Sequence, residues 1–204
     1  NIYIIPFGCD FDFFSDKNAS ERDFRELTFV SMRNWEKIYR NDLVVSALKS
    51  LSDDLEISVQ FFGDGTSLEQ GMKRCSQEIE SGKFKFFGKV PKYKIRDALH
   101  ASNFYVSAAR SDGISVSLLE AMAAGNICIV SDFPSNNEVI SHGHNGFVFK
   151  NGDLASLTNQ LRIASSLTNE QKKRLSLNAI STISNGFDWR KNVKRFRSVF
   201  DLNR

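Results

Sequence analysis

The sequence predicts an α/β fold: a doubly wound, Rossmann-like parallel sheet with helices on both faces. Two observations predict it. Strand-like runs and helix-period segments alternate along nearly the whole chain. The strand-like runs are short and continuously apolar, as strands covered on both faces must be. In such sheets ligands sit at the carboxyl ends of the strands, so the loops that follow strands are where chemistry is expected.

In chain order, Ile2-Tyr3-Ile4-Ile5 and Leu27-Thr28-Phe29-Val30 read as strands. Leu43 to Leu51 reads as a helix, with apolar residues at 44, 45, 47, 48 and 51 on one face. Ile57 to Phe62 is a strand that ends in the turn Gly63-Asp64-Gly65. A polar helix over Leu68 to Ile79 leads to a strand at Phe84 to Phe87, closed by Gly88. A short helix over Tyr93 to Leu99 precedes a strand at Phe104 to Val106. The helix Val116 to Ala124 is stopped by Gly125. Then come a strand at Ile127 to Val130, a short helix over Pro134 to Ile140 and a strand at Gly146 to Phe149. From Leu154 the pattern is helical, broken near Asn185-Gly186, with a last helix over about 188–203. No repeat, low-complexity stretch or linker interrupts the pattern, so 1–204 reads as a single domain. Asn1 opens the chain inside a strand pattern, which reads as a piece excised from a longer protein.

Composition narrows the function. With 41% hydrophobic residues the chain can bury a core without staples. Its 27 basic and 24 acidic residues leave a formal charge of +3, which argues against a nucleic-acid binder. Cys9, Cys75 and Cys128 lack metal-ligand spacing and fit reduced thiols in a cytoplasmic setting. Cys128 lies in an apolar run and reads as a small buried hydrophobe. No apolar stretch approaches the roughly 20 residues needed to span a bilayer. The first strand is followed by no Gly-x-Gly-x-x-Gly, which leaves a rival reading as a dinucleotide-binding dehydrogenase without support.

The segment from Ser107 to Gly125 carries the chemistry. It reads as a strand end, a polar glycine-containing loop, then a helix that Ser115 is placed to cap. The free N–H groups of the helix's first turn, with its dipole, suit a phosphate. Asp112 lies in the loop and Glu120 eight residues on, about a turn inside the helix. Carboxylates on either side of an anion site can accept hydrogen bonds from sugar and ribose hydroxyls.

These residues resemble the family 4 retaining glycosyltransferases of GT-B fold. In that family an acidic pair with seven residues between leads into Glu-Ala-Met-Ala-x-Gly, and Glu120-Ala121-Met122-Ala123-Ala124-Gly125 is identical to it. The resemblance extends over nearly the whole chain. Ile4 to Asp10 is similar to the opening of the family's C-terminal domain, and Phe62-Gly63-Asp64-Gly65 to its Gly-Asp-Gly turn. Phe87-Gly88-Lys89-Val90 is similar to its base-contacting loop. Ser131-Asp132-Phe133-Pro134, Glu138-Val139-Ile140 and Gly143-His144-Asn145-Gly146 follow in the family's order.

The resemblance implies roles. Glu120 would hold the ribose hydroxyls and Asp112 would touch the transferred sugar. Backbone N–H groups around Gly113, Ile114, Ser115 and Val116 would hold sugar and diphosphate. Arg33 and Lys37 would neutralise the diphosphate as it leaves, and Gly88, Lys89 and Val90 would line the base. The reaction implied is transfer of a sugar, with retained anomeric configuration, from a UDP- or GDP-linked donor to a glycan or lipid-linked acceptor. No cofactor or metal is implied. The acceptor side would come from an N-terminal domain outside this chain, so the chain is expected to bind donor without turning over alone.

Two departures from the family pattern stand out. Asp112 occupies a position where the family usually has Glu. The basic pair is also off-register: Lys37 follows Arg33 by four residues, where the family spaces the pair by five. Aligned from the following helix, the Lys position falls at Tyr39-Arg40, so Lys37 and Arg40 are rivals for the second phosphate contact. The rival function is a non-catalytic nucleotide-binding module of the same fold. Elsewhere, His142 and His144 read as exposed loop residues and His100 as a helix-end cap. In the last helix Trp189, Val193, Phe196 and Phe200 form one stripe, and Arg190, Lys191, Lys194, Arg195 and Arg197 occupy the rest. It reads as docked on the sheet with a solvated basic face. Peripheral contact with an anionic membrane is the alternative.

Overall fold

The computed structural model describes the backbone of residues 4–201 and side chains through residue 199. Six strands form one sheet: β1 Leu27–Ser31, β2 Ile57–Phe61, β3 Phe84–Phe86, β4 Phe104–Ser107, β5 Ile127–Ser131 and β6 Phe147–Phe149. Their order is β3-β2-β1-β4-β5-β6 and every pairing is parallel. In register, Phe29 of β1 lies between Val59 of β2 and Phe104 of β4. The chain winds outward from β1 to β3, then crosses back to β4. That reversal opens a crevice between the carboxyl ends of β1 and β4, the place where open α/β sheets bind ligands.

The helices are α1 Phe11–Phe14, α2 Asn41–Ser52, α3 Leu68–Arg74, α4 Ser76–Glu80, α5 Lys92–Ala101, α6 Val116–Ala123, α7 Pro134–Asn137, α8 Leu154–Ser166, α9 Asn169–Gly186 and α10 Trp189–Asp201. Successive strand residues point to opposite faces, and each face has its own core. Phe29, Phe104, Val106 and Ile129 pack with α2 and α8 through Val44, Leu48, Leu51, Leu157 and Leu161. Val30, Tyr105, Cys128 and Val130 pack with α5, α6 and α9 through Leu99, Leu118, Met122, Ala179 and Ile183. All residues of β4 and β5 are buried, as central parallel strands require. Cys9, Cys75 and Cys128 are free and buried.

The structure departs from the sequence reading at five places. Of the strand expected at Ile2–Ile5, Ile2 and Tyr3 lie outside the described residues, and Ile4 and Ile5 belong to no strand. The pairing falls instead at Cys9, which bridges to Asp188 between α9 and α10. The helix expected over Leu68–Ile79 is two short ones, because the Cys75 N–H bonds to the Met72 carbonyl and breaks the α ladder. The long helical stretch from Leu154 is also divided at Leu167, and Thr168 and Gln171 form a capping box that starts α9. The stripe of α10 is not sunk in the sheet: Trp189 is 47% and Phe196 54% exposed, with the Trp189 ring against Phe7. Phe200 lies outside the described side chains. His100 does not cap its helix but bonds through Nε2 to the Phe14 carbonyl.

One side chain ties the N-terminal segment to the ends of two helices. Arg22 donates to the carbonyls of Leu99, His100 and Ser102 at the end of α5, and of Ala124 at the end of α6. These carbonyls lie at helix C-termini, where those of Leu99 and Ser102 also accept from the Asn126 amide, and a cation there meets the negative end of each helix dipole. Arg22→Ala leaves them without it and is expected to cost about 2–4 kcal/mol of unfolding free energy in chemical denaturation.

Candidate functional site

A hollow of about 510 Å³ lies at the amino ends of β1 and β2 among Arg25, Glu26, Thr28, Glu56 and Ser58. That is the wrong end of a parallel sheet for a ligand. The chemistry gathers at the other end, in an open cavity of about 400 Å³ in the β1/β4 crevice. The β1 loop supplies Met32, Arg33, Asn34 and Tyr39. The loop after β4 and the start of α6 supply Asp112, Ile114, Ser115, Val116, Ser117 and Glu120.

Arg33 is held from below by its own backbone. The Asn41 side chain donates to the carbonyls of Arg33 and Asn34. Gly63, at φ +97°, passes so close that a Cβ there would lie 2.6 Å from the Arg33 carbonyl oxygen. The Gly-Asp-Gly turn is therefore a packing requirement of the β1 loop. Arg33 itself is only 8% exposed. Its Nη1 donates to Ser115 Oγ at 2.6 Å and Ser117 Oγ at 3.1 Å, and its Nη2 to Asp112 Oδ2 at 2.5 Å. Its guanidinium carbon lies 4.2 Å from the centre of the Tyr39 ring. Behind Ser117 stands the buried Tyr105, hydroxyl to hydroxyl at 2.9 Å. A buried cation needs such partners, since an unpaired one carries a large desolvation cost.

Ser115 caps α6, its Oγ accepting from the Leu118 N–H. The first-turn N–H groups of Val116 and Ser117 have no intrahelical acceptor, and both residues line the cavity, an arrangement suited to an anion. Gly113 is exposed, and a Cβ there would meet nothing within 4 Å. The fold does not demand a glycine at that position; a closely approaching ligand would.

Glu120 sits a turn inside α6 with its side chain 13% exposed. Burial pushes its carboxyl up to about 7. The opposing influence is Lys92, whose Nζ is 4.0 Å from Glu120 Oε1 and lies over the Phe13 and Phe14 rings. On the inner side Cys9 is pushed up to about 12, by burial first and by Glu120 next. Glu120 is thus a desolvated acceptor with one distant cation, whereas Asp112 is spent on Arg33.

The structure brings together Arg33, Asp112, Ile114, Ser115, Val116 and Glu120, with Gly113 beside them. It does not bring in the two rivals for the second basic position. Lys37 is exposed and outside the cavity lining. Arg40 turns away to donate to Asn151 Oδ1 at 2.7 Å. Lys89 lines an adjoining hollow of about 490 Å³ with Asn34, Glu36, Asp64 and Thr66. Gly88 accepts from the Gly63 N–H, and Val90 packs on the core. His142 Nδ1 accepts from the Val148 N–H, a loop-fixing contact. Sequence reasoning missed Tyr39, Ser117, Tyr105 and Lys92. Tyr39 had a signal, since it occupies the position where the helix alignment puts a basic residue. Lys92 had none, because its approach to Glu120 exists only through the packing of α5 beside α6.

Comparison with known proteins gives a consistent result. The profile of the family described as glycosyl transferases group 1 matches residues 10–182. An uncharacterised glycosyltransferase of Methanocaldococcus jannaschii is 29% identical over 161 residues, 78% of this chain and 41% of that protein. An Escherichia coli UDP-Gal:alpha-D-GlcNAc-diphosphoundecaprenol alpha-1,3-galactosyltransferase is 29% identical over 107 residues, 52% of this chain and 27% of that protein. This chain therefore spans less than half the length of either relative. Among solved structures, Anabaena HepE in complex with UDP-glucose superposes with a TM-score of 0.79 at 16% identity, covering 98% of this chain and 57% of that one. That likeness shows the fold. Among the described residues no helix is long and apolar enough to cross a membrane.

The state of Glu120 has a stability consequence. Its folded value lies above the ordinary 4.5, so the protonated form is the one folding favours. Its contribution is complete below about pH 4.5 and is lost as pH rises through about 7. Glu120→Gln is expected to leave stability unchanged at pH 4 and raise it at pH 8 by on the order of 1–3 kcal/mol. Denaturation midpoints of the two proteins across that range check this.

Proposed function

The chain belongs to the glycosyl transferases group 1 family, and from that premise we propose that it is the donor-binding half of a family 4 retaining glycosyltransferase. It takes a nucleoside diphosphate sugar, UDP- or GDP-linked, and presents it to a glycan or lipid-linked acceptor. An N-terminal domain outside this chain supplies the acceptor side, and the reaction takes place in the cytoplasm. UDP-glucose in the HepE structure and the lipid-diphosphate acceptor in the name of the E. coli relative support this reading.

The observation that carries it is the convergence of three unlike groups on one crevice: the Arg33 cation, the Ser115-capped start of α6 and the Glu120 carboxylate. A nucleotide sugar has three matching parts. Glu120, desolvated and facing the cavity, accepts from the ribose hydroxyls. The N–H groups of Ile114 to Ser117 and the α6 dipole receive the diphosphate. Arg33 adds the charge that stabilises the departing diphosphate as the glycosidic bond to the sugar breaks. The loop Gly88-Lys89-Val90 lies toward the base, and the open space at Gly113 admits the sugar. Asp112 stands at the sugar end and fixes Arg33. With Lys37 in solvent and Arg40 on Asn151, neutralisation of the diphosphate falls on Arg33 and the helix start.

One observation favours a second reading. Asp112 is already committed to Arg33, which fits a module that binds nucleotide without transferring sugar. Transfer by the longer protein, abolished in Asp112→Ala, would exclude that module.

Calorimetric titration with UDP, GDP and ADP is the test of the donor site. One of the three is expected to bind, and Glu120→Ala is expected to weaken it by about tenfold or more through loss of charge-assisted hydrogen bonds. Binding that is indifferent to Glu120, or no binding by any of the three, would sink the assignment.

A further inference from the structure

The hydrogen bonds to Arg33 leave one degree of freedom unaccounted for. Ser115, Ser117 and Asp112 all accept from the Nη groups, so they act in or near the guanidinium plane. Partners of that kind fix position and rotation within the plane but resist tilting poorly. The Tyr39 ring lies against the guanidinium 4.2 Å away, and an aromatic ring in that position resists tilting.

Tyr39 is not there by default. It ends a 3-10 turn over Lys37–Tyr39, and the next residue, Arg40, has φ +48° and ψ +44°. Among the described residues Arg40 is the sole non-glycine with positive φ. A residue with a Cβ pays for that conformation and keeps it only where surroundings over-determine it. Here they do. The Arg40 guanidinium donates to Asn151 Oδ1, the Asn151 amide donates to the Arg110 carbonyl, and the Arg110 N–H donates to the Ile38 carbonyl. This closed ring locks the 3-10 turn to the loop that carries Asp112. Gly152 leaves the room, since a Cβ there would lie 2.6 Å from Arg40 Nη1. The strained Arg40 thus sends its own charge out of the site and turns Tyr39 into it, where Tyr39 lines the cavity half-buried.

We propose that Tyr39 is a positioning residue for diphosphate recognition, setting the tilt of the Arg33 guanidinium through its ring face. The Arg40–Asn151–Arg110 tether is what holds the ring in place. The proposal rests on the donor-site reading above, and it places the work in the ring rather than in the hydroxyl.

The test separates the diphosphate from the rest of the ligand. Affinities for UDP or GDP and for the matching nucleoside are measured on wild type, Tyr39→Phe, Tyr39→Leu and Asn151→Ala, by calorimetry and ligand-observed NMR. The ratio of the two affinities reports the diphosphate contribution alone. Tyr39→Phe is expected to keep the wild-type ratio. Tyr39→Leu is expected to lower it about three- to thirtyfold with nucleoside affinity unchanged, and Asn151→Ala to lower it less. An unchanged ratio in Tyr39→Leu overturns the proposal. A ratio lost equally in Tyr39→Phe overturns it too, because the hydroxyl would then be the contact. Equal losses for nucleotide and nucleoside would mean that the variant disturbs the whole site, and also overturn it. Wild type that binds neither ligand overturns the donor reading itself.

Discussion

The site is organised around one buried positive charge. A cation taken out of water must be matched, and Arg33 is matched at both Nη groups from the β4 side and across its face by Tyr39 from the β1 side, with only its Nε left without a hydrogen-bond partner. The cation comes from the loop after β1, while the carboxylate and hydroxyls come from the loop and helix after β4. Those elements are far apart in the chain and adjacent only because the strand order reverses between β1 and β4. The winding of the sheet is therefore what makes the charge affordable. Removing Arg33 would leave the Asp112 carboxylate without its cation, while Ser115 keeps the Leu118 N–H and Ser117 the Tyr105 hydroxyl.

The two carboxylates of the site live under opposite conditions, although one loop and one helix carry both. Asp112 has a guanidinium at hydrogen-bond distance. Glu120 has burial and a lysine 4.0 Å away. An acceptor kept short of partners is one that a ligand's hydroxyls can satisfy, whereas an acceptor already satisfied is a structural member until something displaces it. The same carboxylate chemistry thus serves two ends through the company each group keeps.

What was legible in the sequence was whatever is local. Strand and helix alternation gave the sheet and its two cores, because period and apolar runs are properties of neighbouring residues. The run from Asp112 to Gly125 could be read for the same reason: cap, free N–H groups and Glu120 are all within a few turns of one helix. The β1 loop was harder. Whether Lys37 or Arg40 entered the site depended on a left-handed turn at Arg40, a conformation whose residue preference gives no warning when an arginine adopts it. Tyr39, Lys92 and Tyr105 act across the packing of separate elements, and the long helical stretches divide at Cys75, where its N–H bonds to the Met72 carbonyl, and at Leu167, ahead of the Thr168 capping box, with no glycine or proline at either break.

The fit of Arg40 against Gly152 carries an evolutionary corollary. The dependence runs one way: the arginine occupies the space that the missing side chain leaves, whereas Gly152 has a φ of +78° of its own and needs a glycine whatever stands at 40. Among diverging sequences of this kind the second position is therefore expected to stay bare while the first drifts. Lineages with glycine at the first position would lose its strain and its tether together, and those with a long side chain there would keep both.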